Sequence, residues 1–218
     1  MSKNKIALSL VVAGILGASS AVAETSGAFV GVQAGYGGHK FTSDEVEVAT
    51  GESFPLFNET ATGFRYGVLG GYKQFFTPEF GARYYAVVDF GNFKKDVTLD
   101  GDSGTQEFQV KIKTWSITAN TDALYNFISS ESLDFGVFAG LSLGYINSDF
   151  GDMEAKPSGF DLGINFGLRT NIAQNHGVEL YSRFGVLKQK EDIDRVDIRH
   201  EFKSQQPYTV GLRYSFSF

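Results

Sequence analysis

From Gly27 to its last residue the chain alternates apolar and polar positions with a period of two. That is the pattern of β-strands whose two faces meet different surroundings. In Gly27–Tyr36, Val30, Val32, Ala34 and Tyr36 share one face, while Gly31, Gln33 and Gly35 share the other with Phe29. The same alternation marks Gly63–Lys73, Phe80–Phe90, Thr114–Phe127, Leu133–Ile146, Gly159–Asn171, His176–Leu187 and Tyr208–Phe218. These eight segments are each about the ten residues that a tilted membrane strand requires. A soluble sandwich also alternates, so two further features decide.

The connections alternate in length. Gln74–Glu79, Ile128–Ser132 and Ile172–Asn175 are short, whereas Gly37–Thr62, Gly91–Lys113, Asn147–Ser158 and Lys188–Pro207 are long. The aromatic residues fall into two bands. Tyr36, Phe64, Phe90, Trp115, Tyr145, Phe160 and Tyr208 sit near one end of the segments, and Tyr72, Phe80, Tyr125, Phe127, Phe135, Phe216 and Phe218 near the other. Rings with apolar bodies and polar tips favour membrane interfaces. The pattern predicts an all-β, transmembrane, antiparallel up-and-down β-barrel of eight strands, with long extracellular loops and short periplasmic turns. Within the second long connection, Val97–Asp100 and Glu107–Lys113 flank a turn-rich Gly101–Gly104, so strands three and four are expected to continue beyond the membrane.

The first residues differ in kind. Lys3 and Lys5 precede a short apolar run over residues 6–18, and Ala21, Val22 and Ala23 offer a small-residue cleavage site. Residues 1–23 are expected to be a Sec-type signal peptide cut between Ala23 and Glu24, leaving a barrel domain over 24–218 in the outer membrane. Composition agrees: 26 Gly, 21 Phe and 10 Tyr suit a barrel, and 0 Cys excludes a disulfide framework. The net charge of −6 speaks against nucleic acid as a partner.

The inward positions carry Arg65, Lys73, Arg83, Arg169, Arg183 and Arg213 against Asp89, Asp122, Asp134, Asp161 and Glu179. An eight-stranded barrel has an interior just wide enough for side chains to fill. Charges confined there must pair or be hydrated. A packed salt-bridge network is the plain expectation, and a narrow hydrophilic pore lined by the same charges is the alternative.

Catalytic chemistry is sparse. His39 and His200 fall in the first and fourth outer connections near Ser43, Asp44 and Glu201, so a His–Ser–acid hydrolase at the outer rim is a third, minor alternative. Neither a metal-ligand spacing nor a cofactor motif occurs, so no enzyme activity is expected. Acidic and basic residues mix in the outer connections, as expected of a surface facing outer-membrane lipid and lipopolysaccharide, with a host surface ligand as the sharper candidate. The chain is expected to act as a monomer. Leu212, Tyr214, Phe216 and Phe218 end the chain at alternate positions, a pattern resembling the β-signal read by the barrel-assembly machinery.

Several segments resemble the Helicobacter outer membrane protein family. They are Tyr72-Lys73-Gln74-Phe75-Phe76, Phe80-Gly81-Ala82-Arg83-Tyr84-Tyr85, Thr121-Asp122-Ala123-Leu124-Tyr125-Asn126, Gly167-Leu168-Arg169-Thr170-Asn171-Ile172-Ala173 and His176-Gly177-Val178-Glu179-Leu180. The resemblance runs from about the second strand to the C-terminus and implies an outer-membrane location. Larger relatives include adhesins with an added outer domain, and some are described as porins. This chain is shorter, lacks the cysteines of such domains, and reads Tyr181-Ser182-Arg183-Phe184 where a Lys-Ile-Pro-like continuation is expected. The resemblance therefore implies a barrel and names no activity.

Overall fold

The computed structural model describes residues 24, 26–47, 53–101, 104–130, 132–151, 156–195 and 198–218. The expected signal peptide, residues 1–23, lies outside the described residues. Nine strands join one antiparallel sheet: β1 (Gly27–Glu47), β2 (Ser53–Phe75), β3 (Phe80–Gly101), β4 (Gly104–Ser129), β5 (Leu133–Asp149), β6 (Ser158–Ile172), β7 (His176–Gly185), β8 (Gln189–Arg195) and β9 (Ile198–Ser217). β9 also pairs with β1, from Phe29↔Ser217 to Glu47↔Ile198, so the sheet closes on itself. Closure pairs β1 with β9, the condition for a sheet to stand in hydrocarbon. The ring itself has eight members, β1 to β7 and then β9. The strand count is nine rather than eight because the chain breaks at residues 186–188, and β8 resumes pairing with the outer part of β9.

The outward face of the ring is apolar where lipid would be. Val30, Val32, Val68, Ile117, Leu141, Leu143, Ile164, Leu168, Leu180 and Leu212 are all exposed. Aromatic rings bound this belt in register. Tyr36 meets Phe64 at 5.2 Å, Phe90 opposes Trp115, Trp115 meets Tyr145 at 5.9 Å, and Tyr145 opposes Phe160. At the other end Phe80 opposes Tyr125, and Phe127 lies 6.5 Å from Phe135. Ten residues separate Phe80 from Phe90 along β3, roughly 33 Å of strand, which at the usual tilt gives a belt about 25 Å tall.

Three of the four long connections are largely strand, as expected for the second, where β3 and β4 were to continue beyond the membrane. β1 and β2 continue to Glu47 and from Ser53, β3 and β4 reach Gly101 and Gly104, and β8 with the first half of β9 occupies most of 188–207. The alternation never stops there; it inverts. Beyond the outer aromatic band the inward positions Phe41, Ala61, Phe93, Val97, Val110, Ile112 and Phe150 form a buried apolar cluster. The outward positions become Lys40, Thr60, Lys94, Lys111 and Lys113. The wall is polar-inside within the membrane and apolar-inside above it, on the same strands.

The opposite rim is tight. Ala173 and Gln174, in the turn between β6 and β7, both adopt left-handed backbone (φ 45° and 67°), a conformation that costs L-residues energy. Within the wall, a Cβ on inward Gly140 would lie 2.0 Å from the Thr121 carbonyl oxygen and 2.2 Å from Asp122 Oδ1, so only glycine fits beside that carboxylate.

Candidate functional site

Every charged residue expected inside is inside. Arg65, Lys73, Arg83, Asp89, Asp122, Asp134, Asp161, Arg169, Glu179 and Arg213 are buried, and Arg183 is half-buried. They stack in three levels along the bore. Nearest the periplasmic rim, Lys73 Nζ donates to Glu24 at 2.9 Å, Arg169 Nη1 donates to Glu24 at 2.9 Å and to Asn126 at 2.6 Å, and Asp134 accepts from Ser129 and Asn171. At mid-height Arg83 pairs with Asp122 at 2.8 Å and forks onto Glu179, which also accepts from Arg213 at 3.1 Å. Arg213 donates onward to Gln33 at 3.0 Å, and the Tyr85 hydroxyl donates to Asp122 at 2.9 Å. At the outer level Arg65 donates to Asp89 and Ser116, each at 3.2 Å, and to Gln206, while Arg183 holds Asp161 at 2.9 Å and Ser142 at 3.0 Å.

The Arg83–Glu179 fork spans the bore. β3 and β7 are four places apart in an eight-membered ring, so they stand on opposite walls. A side-chain bond between them crosses the full width of the lumen. Rings fill the space around it: the Arg83 guanidinium sits 4.5 Å from the Phe138 ring centre, and that of Arg213 sits 4.9 Å from Tyr181. The cavity lined by Glu24, Lys73, Arg83, Arg169 and Glu179 measures about 10 Å³, room for a single water at most.

Glu24 is the residue that sequence reasoning missed. With it, among the described residues, six interior cations (Arg65, Lys73, Arg83, Arg169, Arg183, Arg213) meet six anions (Glu24, Asp89, Asp122, Asp134, Asp161, Glu179). It precedes β1, where no alternation could assign it a face. Burial raises its carboxyl pKa, but Arg169 and Lys73 outweigh that and hold it below the ordinary value.

Above the third level lies a short neutral step. His39 Nε2 is 2.7 Å from Ser204 Oγ, which lies 3.4 Å from Ser148 Oγ. Phe93 and Phe150 rings cover His39 at 5.2 and 5.9 Å, and the apolar cluster closes over them. His39 therefore stands apart from the outer-rim group expected for a hydrolase. His39 faces the interior, because the inward parity of β1 puts it there. His200 opposes Glu45 six residues farther along the wall, about 20 Å away in strand length. The side chains of Ser43, Asp44, His200 and Glu201 lie outside the described residues, as do those of the acidic clusters around Glu45 and Asp194.

The four C-terminal positions share the outward parity of β9 but are not all exposed. Leu212 and Phe218 are exposed and Tyr214 is half-buried, but Phe216 is 7 % exposed. The His176 and Phe218 rings each lie 5.4 Å from that of Phe216, and His176 Nδ1 is 2.8 Å from the Tyr214 hydroxyl. His176, unassigned in the sequence, thus covers the end of β9.

The family model described as Helicobacter outer membrane protein matches residues 67–218. The chain belongs to that family. It is accordingly an outer-membrane protein, and the match covers the stretch in which the sequence resemblance was read. No curated protein is significantly similar to it. Among solved structures it is similar to the outer membrane protein OprG from Pseudomonas aeruginosa, at 14 % identity and TM-score 0.50, over 89 % of this chain and 98 % of that one. Neisserial surface protein A (18 % identity, 88 % and 99 % coverage, TM-score 0.43) and Ail of Yersinia pestis (14 %, 87 % and 99 %, 0.31) also match. At these identities the likeness to OprG concerns the fold alone.

Proposed function

We propose that this family member is a sealed barrel: an outer-membrane scaffold whose activity lies on its extracellular half, as a surface-interaction or adhesive wall, and not in conduction. One observation carries the reading. Arg83 on β3 and Glu179 on β7 bond across the bore, in an interior whose described cations and anions match six to six. Matched charge among the described residues removes the selective lining that a pore for one sign of ion needs, and the Arg83 and Glu179 side chains stand across the path that water would take. The apolar cluster around Phe41, Phe93 and Ile112 adds a dry closure above it.

The test is planar-bilayer conductance of the chain refolded from Glu24, with folding shown separately by heat-modifiable gel mobility. A folded protein that stays silent is the expected outcome. Reproducible single-channel steps from that preparation would refute a sealed lumen.

A further inference from the structure

Above the outer aromatic band, the β3–β4 wall turns three lysines outward at neighbouring places. Lys94 on β3 and Lys111 on β4 are directly opposite, so their Cβ atoms are about 5 Å apart. Lys113, two residues along β4, holds the diagonal place to Lys94. All three are exposed, and none is held in an ion pair among the described residues. The carboxylates beside them are engaged. Asp149, opposite Lys113 on β5, lies 3.7 Å from Lys156 Nζ and accepts from the Gly151 N–H at 2.9 Å. Asp96, two residues beyond Lys94, accepts from Gln109 at 2.8 Å. Like charges placed directly opposite on paired strands destabilise the pair. In a chain of net charge −6, Lys94 and Lys111 are a local cost to the fold that an anion seated between them would cancel.

The lysines stand on an aromatic foot. Phe90 opposes Trp115, Phe90 lies 6.1 Å from Tyr66, and Trp115 lies 5.9 Å from Tyr145. Below these rings the exposed Ile117 and Leu143 continue the apolar face. Lys113 is two residues beyond Trp115, about 7 Å of strand, and Lys94 is four beyond Phe90, roughly 10 Å of height once strand tilt is allowed for. The headgroup layer beside the hydrocarbon is about 5–8 Å thick. The three ammonium groups therefore stand at that layer and just above it. A ligand seated on this wall meets cations at its polar end and rings at its apolar end.

We propose that Lys94, Lys111 and Lys113 bind the phosphorylated headgroup of a lipid in the outer leaflet, a lipid A-type phosphoglycolipid whose acyl chains lie along Phe90, Trp115 and Ile117. Lysine ammoniums take phosphate as point charges without a fixed fork, which suits a headgroup free to rotate. A phosphate between Lys94 and Lys111 replaces one repulsion by two attractions. A soluble anion would gain nothing from the rings, so the lipid is the ligand that uses both halves of the site.

The experiment uses the refolded full barrel in detergent. Native mass spectrometry reads retained lipid, and urea titration reads the unfolding midpoint. The probes are bis-phosphorylated lipid A, its dephosphorylated form and inorganic phosphate. The variants are K94Q/K111Q, its Arg counterpart K94R/K111R, and K40Q/K188Q, elsewhere on the outer wall, as a charge-matched control. Wild type should retain the phosphorylated lipid in preference to the dephosphorylated one, and its midpoint should rise with that lipid, which binds the folded state alone. K94Q/K111Q should weaken retention about thirtyfold and lose the rise, and the Arg variant should keep both. Without lipid, K94Q/K111Q should unfold no earlier than wild type, because the repulsion is gone. Equal loss in the K40Q/K188Q control would reduce the effect to net charge and overturn the proposal. So would equal retention of dephosphorylated lipid, or inorganic phosphate displacing the lipid at comparable concentration. If the double Gln variant does not fold, the single K111Q change carries the same test with about a fivefold loss expected. A conducting barrel would leave this site standing, so the two readings fail separately.

Discussion

Removing the Glu179 carboxylate by Glu179→Gln tests the interior directly. Glu179 is 3 % exposed and accepts from both Arg83 and Arg213. Taking one partner from a buried ion pair costs about 3–5 kcal/mol, because the remaining charge is stranded. Here each guanidinium keeps another acceptor: Arg83 retains Asp122 at 2.8 Å, and Arg213 retains Gln33 at 3.0 Å. The neutral amide also still accepts one hydrogen bond. The expected loss is therefore at the lower end, about 3 kcal/mol. That figure assumes that water cannot enter to solvate the stranded charge, as the cavity of about 10 Å³ implies. In a hydrated bore the same pair would behave like a surface one, worth about 0–1 kcal/mol. Reversible urea unfolding in lipid vesicles, followed by Trp115 fluorescence and heat-modifiable mobility, reads the difference. A loss below about 1 kcal/mol would refute a dry lumen even if no current were ever seen.

Three other outcomes follow from the same geometry. Glu24→Gln should cost more stability at pH 7 than at pH 3.5. The Glu24 pKa is held below its ordinary 4.5, so its contribution is present above that value and fades as pH falls through the folded pKa; a gap between the variants that ignores pH would contradict this. Phe93→Ala, at a site 1 % exposed, should cost about 3–5 kcal/mol and expose the outer half first to limited proteolysis, while the spectrum of Trp115 in the lipid belt stays unchanged. Ala173→Gly should raise the unfolding free energy by about 0.5–1 kcal/mol, the relief of a left-handed residue less the entropy that glycine adds; a destabilised variant would show that the turn is not strained.

The fold was legible where one physical rule governs the pattern. Inside the membrane belt, apolar-out alternation marks every strand, and the eleven interior charges from Arg65 to Arg213 follow from parity alone. The expected first and second segments ended at Tyr36 and Gly63 because the alternation inverts there, and a reader tracking one outward apolar face loses the strand, whereas Val97–Asp100 and Glu107–Lys113 did announce the continuation of β3 and β4. Phe41 and Phe93 then read as loop aromatics when they are core. The break at 186–188 was illegible because Val186 and Leu187 keep the apolar character of the wall that they leave. Glu24 was invisible for another reason: it reaches the lumen from outside the sheet, and only three-dimensional proximity to Lys73 and Arg169 assigns it.

The continuation of the strands past the outer aromatic band also decides how an immune system would meet this protein. β3 runs eleven residues beyond Phe90 to Gly101, on the order of 30 Å of paired wall. Its outward residues are presented by neighbouring strands side by side, as Lys94 is by β3 and Lys111 by β4. An epitope there is a row of side chains held together only by strand pairing. Linear peptides copied from residues 91–113 would lack that row, and antibodies raised against them would recognise the denatured chain while sparing the folded barrel on the cell.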